Sequence, residues 1–246
     1  MIDARLAQHW VDRWDRQQER YMADREERFT VVADVLAELT PDSPTVVDLG
    51  CGPGSMCDRL AAVLPGATFV GVDSDRLLLE LGRARYPQLS LVEADLAESD
   101  WPARAGLPEH VDAVVSSTAL HWMAAEYLER LYDTVAGLLR PGGVFVNADH
   151  LKSGSPVLDT LSRRIRDKRA TRVGVDGNEE WRAWWDALLA DDRLGSLAEE
   201  RARLPIGNGP NGLSLDDHGE HLRKSGFSEV GTVWQSGDDY VLVGIR

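Results

Sequence analysis

The sequence predicts a doubly wound α/β domain built on a mainly parallel sheet. Three observations carry that prediction. The stretch Val46-Val47-Asp48-Leu49-Gly50-Cys51-Gly52-Pro53-Gly54 reads as a buried strand, a glycine turn and the start of a helix. Strand-like and helix-like patterns then alternate up to about residue 146. Carboxylates or small polar residues close the strands, where such sheets bind their ligands.

Taken in order, residues 1 to about 40 read as helix. Leu6, Trp10, Trp14, Tyr21, Phe29, Val32, Val35, Leu36 and Leu39 recur close to helical spacing, and Pro41 and Pro44 end the pattern. The first strand follows at 46–49, and a helix runs from about 55 to 64. A second strand over 67–73 ends on Asp73, and a helix over 75–86 carries Leu77, Leu78 and Leu81. Residues 89–94 read as a third strand, followed by Asp95-Leu96. The segment 97–110 contains Pro102 and Pro108 and reads as a loop with at most a short helix. The fourth strand is 111–117. A helix over 124–139 leads through Arg140-Pro141-Gly142-Gly143 into the fifth strand, which ends near Asn147-Ala148-Asp149-His150.

The regular beat then stops. Residues 151–214 read as an insertion. It has a basic helix, a loop at Gly174 and Gly177, an acidic helix bearing Trp181, Trp184 and Trp185, and a closing loop over 207–212. A helix over about 215–225 and two strands near 229–235 and 240–245 complete the chain. Their short connection, Ser236-Gly237-Asp238-Asp239, makes them an antiparallel hairpin. The expected organisation is one domain over 1–246, with a helical cap (1–40), a cofactor-binding core (45–150), a lid insertion (151–214) and a C-terminal helix and hairpin (215–246).

The glycine turn separates two ligand classes. Gly50 and Gly52 fit the first two positions of the dinucleotide fingerprint G-x-G-x-x-G, but its third position is Ser55, and the glycine stands one place early at Gly54. That disfavours a nicotinamide or flavin oxidoreductase. The pattern D-x-G-x-G-x-G resembles the class I methyltransferases that use S-adenosyl-L-methionine. Asp73, 25 residues after Asp48, sits near the spacing expected of a carboxylate that holds ribose hydroxyls. The resemblance implies a seven-stranded sheet with an antiparallel last strand. It implies a glycine turn facing the methionine part of the cofactor, Asp95 at the adenine amino group and backbone near Leu96 at the ring. The cofactor-binding set is therefore expected to be Asp48, Gly50, Cys51, Gly52, Gly54, Asp73, Ser74, Asp95, Leu96, Ser116 and Trp122.

The stretch Ser117-Thr118-Ala119-Leu120-His121-Trp122-Met123 resembles the A-L-H-W segment of trans-aconitate methyltransferase-like enzymes, a group acting on small molecules. It lacks an N-P-P-Y type sequence. His121 reads either as a base or hydrogen-bond donor, or as a structural residue at a helix start; His150 is a second catalytic candidate. Tyr21, Trp181 and Trp185 are the expected acceptor-binding residues, against the alternative that aromatics at helical spacing simply pack inward. Asp149-His150 lacks clear metal partners, so no metal is expected.

Composition sets limits. The net charge is −14, which argues against nucleic acid or bare membrane as partner; the resemblance implies a small-molecule acceptor instead. A local basic run, Arg163, Arg164, Arg166, Lys168, Arg169 and Arg172, is either a solvated face or a rim for an anionic substrate. Cys51 and Cys57 are the two cysteines, too few for a disulfide framework or a Cys-type zinc site. The opening Met1-Ile2-Asp3-Ala4-Arg5 lacks the form of a signal peptide, so a cytoplasmic protein is expected. Methyl transfer to an oxygen, nitrogen or carbon atom of a carboxylic acid or specialised metabolite is the leading expectation. A macromolecular methyltransferase and a non-catalytic cofactor-binding protein are the alternatives.

Overall fold

The computed structural model describes residues 2–204 and 210–246, so residues 207–209 of the loop read over 207–212 lie outside the described residues. Two helices come first, α1 (Ala4–Tyr21) and α2 (Arg25–Leu39). Asp3 starts α1 by accepting hydrogen bonds from the amides of Arg5 and Leu6, both 3.0 Å. The core then runs β1 (Thr45–Leu49), α3 (Ser55–Val63), β2 (Thr68–Asp73), α4 (Arg76–Arg85), β3 (Ser90–Glu93), a short α5 (Trp101–Arg104), β4 (Val111–Ser117), α6 (Ala125–Leu138) and β5 (Leu139–His150).

The insertion holds α7 (Pro156–Val173), α8 (Trp181–Leu189) and α9 (Ser196–Arg201). The sequence pattern missed α9, whose six residues are too few to show periodicity. Acidic residues Glu179 and Glu180 precede α8, while the helix itself carries Arg182 and Asp186. A capping box of Ser214 and Asp217 starts α10 (Leu215–Lys224), and the hairpin β6 (Glu229–Ser236) and β7 (Asp239–Ile245) ends the chain.

The seven strands lie in the order β3-β2-β1-β4-β5-β7-β6. Every pairing from β3 to β5 is parallel, and β7 runs antiparallel to both β5 and β6. Buried β-branched and aliphatic runs such as Val46, Val47 and Leu49 follow from this, because both faces of a parallel strand are covered by helices. On one face α2 and α3 pack Phe29, Val32, Leu36 and Leu60 against Val46, Val115 and Val146. On the other, α5, α6 and α10 pack Trp101, Leu128, Tyr132 and Leu222 against Val47, Val114 and Phe145. A third apolar cluster joins α1, α4 and the insertion through Trp10, Leu77, Leu81, Trp184 and Trp185. The chain leaves β1 toward β2 on one side, and β4 lies on the other. A crevice therefore opens at their C-terminal ends, the usual ligand site of such sheets.

Candidate active site

The glycine turn is fixed by backbone contacts before any ligand is considered. The amides of Gly50 and Cys51 both donate to the Val72 carbonyl, at 2.8 and 3.1 Å, tying β1 to β2. Gly50 has φ +69°, and a Cβ there would meet Ala119 Cβ at 2.3 Å, so the turns after β1 and β4 touch as only glycine permits. Gly52 has φ +54°. A Cβ there would project to 3.6 Å from Trp14 and 3.9 Å from Leu78, both of which line the crevice. Gly54 faces away from the crevice toward Leu89 and Leu91 and starts α3.

The crevice is a cavity of about 790 Å³. Its wall includes Asp48, Gly50, Cys51, Gly52, Asp73, Ser74, Asp95, Leu96 and Trp122 from the expected cofactor set. It also includes His121, His150, Tyr21, Trp181 and Trp185 from the expected catalytic and acceptor sets. Gly54 and Ser116 stand behind that wall. The Ser116 hydroxyl is buried and donates to the Leu49 carbonyl at 2.8 Å, which ties β4 to β1; its neighbour Ser117 lines the cavity instead.

Acids gather at one end. Asp73 accepts from the amides of Gly52 and Asp75, each at 2.8 Å. Burial pushes its carboxyl up to about 6, with those amide bonds working in the opposite direction. Asp48 is buried and pushed up to about 7, although the Cys57 thiol donates to it at 3.3 Å. Burial also holds the Cys51 and Cys57 thiols well above their usual range, so both stay protonated and neither is a nucleophile. Asp95 is exposed at the rim, where its Oδ1 accepts from the Ala97 amide at 2.9 Å.

The other end is built on the close of β4. Thr118 has φ +51°, strained for a β-branched residue, and its amide is anchored on the Ala148 carbonyl at 3.0 Å. A 3-10 turn over Leu120–Trp122 follows, so His121 is the second residue of a helical turn, and its side chain pairs with a carboxylate and not with backbone. His121 Nδ1 lies 2.7 Å from Asp149 Oδ1. Asp149 is wholly buried and also accepts from the amides of His121 (3.3 Å) and His150 (2.8 Å). Burial works against charge on both partners, yet their mutual attraction wins: the imidazole sits above its ordinary value and the carboxyl below. Asp149 is therefore ionised at neutral pH, Nδ1 carries the hydrogen, and Nε2 is the ring nitrogen left for the cavity.

His150 differs. Burial, then the charges of Arg28 and Arg166, lower it to about 4, so it is neutral. Neither of its ring nitrogens has a hydrogen-bond partner within the protein. Trp122 stacks on Trp181, centroids 5.8 Å apart and planes at 17°. The Tyr21 hydroxyl accepts from the Trp181 amide at 3.0 Å. Trp184 does not reach the cavity; it is fully buried against Trp10 and Trp14. The three tryptophans of α8 thus divide between the two readings, one in the core and two on the cavity wall.

Sequence reasoning passed over Arg25 as a site group and Asp149 as the partner of His121. Arg25 is buried, pairs with Asp15 at 3.0 Å, lies over the Phe29 ring and lines the cavity with its Nη1 lacking a hydrogen-bond partner. The one signal was an arginine in the first turn of α2, where the helix dipole disfavours a cation. Of the basic run on α7, Arg166 lines the cavity and pairs with Asp238 at 2.9 Å, and Arg169 pairs with Asp24. Arg163, Arg164, Lys168 and Arg172 are exposed. Among the described residues, no three His, Cys, Asp or Glu groups are placed to hold a metal ion, and no helix is long and apolar enough to cross a membrane.

A mainly parallel sheet with this strand order and an antiparallel β7, and a glycine turn facing a cavity lined by Asp73 and Asp95, define a class. Residues 46–143 match the family model described as a methyltransferase domain. The chain belongs to the class I S-adenosylmethionine-dependent methyltransferases. The trans-aconitate 2-methyltransferase of Methylobacterium nodulans is 31% identical over 187 residues, covering 71% of this chain and 67% of that protein. Those of Paracidovorax citrulli and Methylobacterium radiotolerans are 34% and 38% identical, over 75% and 50% of this chain. The matches span 61% and 45% of those two relatives' own lengths. Among solved structures, magnesium protoporphyrin IX methyltransferase from Synechocystis with bound SAH aligns with a TM-score of 0.59 at 16% identity, covering 96% of this chain and 94% of that one. Human N-acetylserotonin methyltransferase in complex with SAM gives 0.54 at 15% identity, covering 94% and 56%. Both share the fold.

Proposed function

We propose that this chain transfers the methyl group of S-adenosyl-L-methionine, by in-line displacement, to an oxygen, nitrogen or carbon atom of a small-molecule acceptor. A carboxylic acid or specialised metabolite is the class of acceptor; nucleic acid and membrane are not. The observation that carries this reading is a single cavity shared by the glycine turn, Asp73 and Asp95 at one end and His121, His150 and Trp181 at the other. Reactants held side by side in one cavity gain most of what displacement needs, since the sulfonium methyl is already electrophilic.

The residues present fit that cofactor. Asp73 keeps a free lone pair on each oxygen beyond its two amide partners, enough for both ribose hydroxyls. Asp95 would take the adenine amino group, Leu96 would flank the ring, and Ser74 would complete the ribose side. The space above Gly52, which a side chain would fill, suits the methionine part. Arg25 Nη1, which has no hydrogen bond and meets Glu26 only at 3.6 Å, suits its carboxylate, and Asp48 its cationic end. Trp122 would wall the sulfonium, leaving Tyr21, Trp181 and Trp185 to the acceptor. The names of the relatives support an acid acceptor, and Arg166, which acts on His150, gives that end of the cavity a cationic side chain.

The test is direct. Calorimetry should show S-adenosylhomocysteine binding to the purified chain, and methyl-labelled cofactor should label one member of a panel of acids that includes trans-aconitate. Tight NADH binding with no S-adenosylhomocysteine binding would overturn the assignment.

A further inference from the structure

The His121–Asp149 pair has more structure than cofactor binding requires. A buried carboxylate costs several kcal/mol of desolvation unless its lone pairs are used. Here Oδ1 takes His121 Nδ1 and the His150 amide, and Oδ2 takes the His121 amide. Two of the three contacts go to His121, one to its ring and one to its amide. The carboxylate fixes the ring's tautomer and orientation, with Nε2 toward the cavity, as an orienting carboxylate does in nucleophile–base–acid constellations.

Two roles for such an imidazole can be separated by charge. As an anchor for an acceptor carboxylate, it would be undercut by the anion 2.7 Å behind it, because a protonated His121 with ionised Asp149 carries no net charge. As a proton acceptor, it gains from the same anion, which stabilises the imidazolium once formed. A carboxylate acceptor is also already ionised at neutral pH and needs no base. The geometry points to proton abstraction by His121, positioned by Asp149, and so to an acceptor whose reacting atom is a hydroxyl oxygen, of an alcohol, enol or phenol. This rests on the methyltransferase reading and narrows its acceptor; an acid acceptor would be a hydroxylated one, methylated at the hydroxyl.

The step balances. The acceptor O–H gives its proton to His121 Nε2, and the oxygen's electron pair forms the new bond to the methyl carbon. The carbon–sulfur pair returns to sulfur, which leaves as the neutral thioether of S-adenosylhomocysteine, and His121 later releases the proton to solvent. The charged and titratable groups that act on His121 and Asp149 are Arg28 on α2, His150 on β5, His218 on α10, Tyr132 on α6 and Asp239 on β7, the last paired with Arg28. His150 and His218 are both held near 4 and stay neutral, whereas Asp239 is pushed up to about 6 and Asp73 and Asp48, at the cofactor end, to about 6 and 7; the His121 titration is therefore read at saturating cofactor, as the part of the profile that His121→Gln removes.

The experiment uses the full chain, methyl-labelled cofactor and two probes. One is 4-hydroxybenzoate, which offers a hydroxyl and a carboxylate in one molecule; the other is trans-aconitate, which has no hydroxyl. The expected product is a base-stable methyl ether of 4-hydroxybenzoate, formed faster as pH rises through the His121 titration. His121→Gln should lower turnover by about 10²–10⁴-fold, the range for general base catalysis, with S-adenosylhomocysteine affinity unchanged. Asp149→Asn should move the pH midpoint down as well as slow the reaction, which loss of structure alone would not do. A base-labile ester from either probe, or undiminished turnover by His121→Gln, overturns the inference. Nitrogen NMR of the S-adenosylhomocysteine complex at pH 9 decides the matter even if neither probe reacts. A neutral ring protonated on Nδ1 is expected, and one protonated on Nε2 refutes it. A chain that binds no S-adenosylhomocysteine fails the methyltransferase reading itself; one that binds it and forms esters fails only this narrower inference.

Discussion

Replacing Asp73 by Asn probes the cofactor end where the geometry is most explicit. The substitution keeps size and one carbonyl oxygen but removes the charge. At neutral pH the wild-type group, pushed up to about 6, is mostly ionised and would offer each ribose hydroxyl a charge-assisted acceptor. Losing hydrogen bonds to a charged group costs about 1.5–3 kcal/mol. That is an S-adenosylhomocysteine affinity lower by about 10- to 150-fold, at about 1.4 kcal/mol per decade. A fold penalty comes with it. The carboxylate now takes amides from both Gly52 and Asp75, and the amide group of Asn can accept only one of them. One unpaired buried donor costs about 1–3 kcal/mol, and a domain of this size loses about 2–4 °C of melting temperature per kcal/mol. Calorimetry with S-adenosylhomocysteine at pH 7.5, beside circular dichroism to establish folding, reads both terms. The ratio of wild-type to variant affinity should also shrink below about pH 6, where the wild-type carboxyl takes up its proton. A folded variant that binds within twofold of wild type at pH 7.5 would refute the ribose assignment.

Three further outcomes are expected. Gly52→Val should abolish S-adenosylhomocysteine binding in a chain with an unchanged dichroism spectrum, because φ +54° is costly for a β-branched residue and the side chain would enter the cavity; unchanged affinity would show that the turn faces something else. S-adenosylmethionine affinity should be full above about pH 7 and fall as pH drops through about 7 and then 6, since a cationic ligand favours the ionised forms of Asp48 and Asp73. Asp48→Asn should remove the upper part of that fall. Without ligand, the same substitution should gain stability relative to wild type between about pH 4 and 7 and hold that gain above it: a folded carboxyl raised to about 7 makes the wild type less stable as pH rises from the unfolded value toward that one. A pH-independent difference in melting temperature would contradict the burial argument. Limited proteolysis between Pro156 and Arg201 should slow when S-adenosylhomocysteine and an acceptor are both bound; equal cleavage rates would deny the insertion a closing role.

The sheet was readable because its strands are buried on both faces and therefore appear as short runs of Val, Leu and Ala between glycine and proline punctuation. The glycine turn was readable because Gly50 and Gly52 occupy conformations that the sequence advertises by residue type. What stayed hidden was set by tertiary contact. Asp149 lies 28 residues from His121 and meets it only because β4 and β5 are neighbours. Trp181, Trp184 and Trp185 share one helix, and no periodicity tells which of them the core takes. Arg25 looks like any surface arginine until α2 packs it beside the glycine turn. The loop over 97–110 held only the brief helix expected, because Pro102 sits where a first turn tolerates proline.

The segments roofing the cavity are joined more to each other than to the sheet. Arg13 pairs with Glu179, Arg20 with Glu180 and the Asn178 carbonyl, Trp10 with Asp191, and Tyr21 with Trp181. Two stretches far apart in sequence, α1 and α8, thus form one body resting on α4. For protein engineering this makes them an inseparable cassette. A chimera that imports only the 151–214 region from a related enzyme leaves Arg13, Arg20 and Trp10 facing strangers, whereas moving residues 1–24 with it carries the whole joint across. Acceptor preference in this fold should then be inherited as a pair of segments, and natural recombination at either one alone should be selected against.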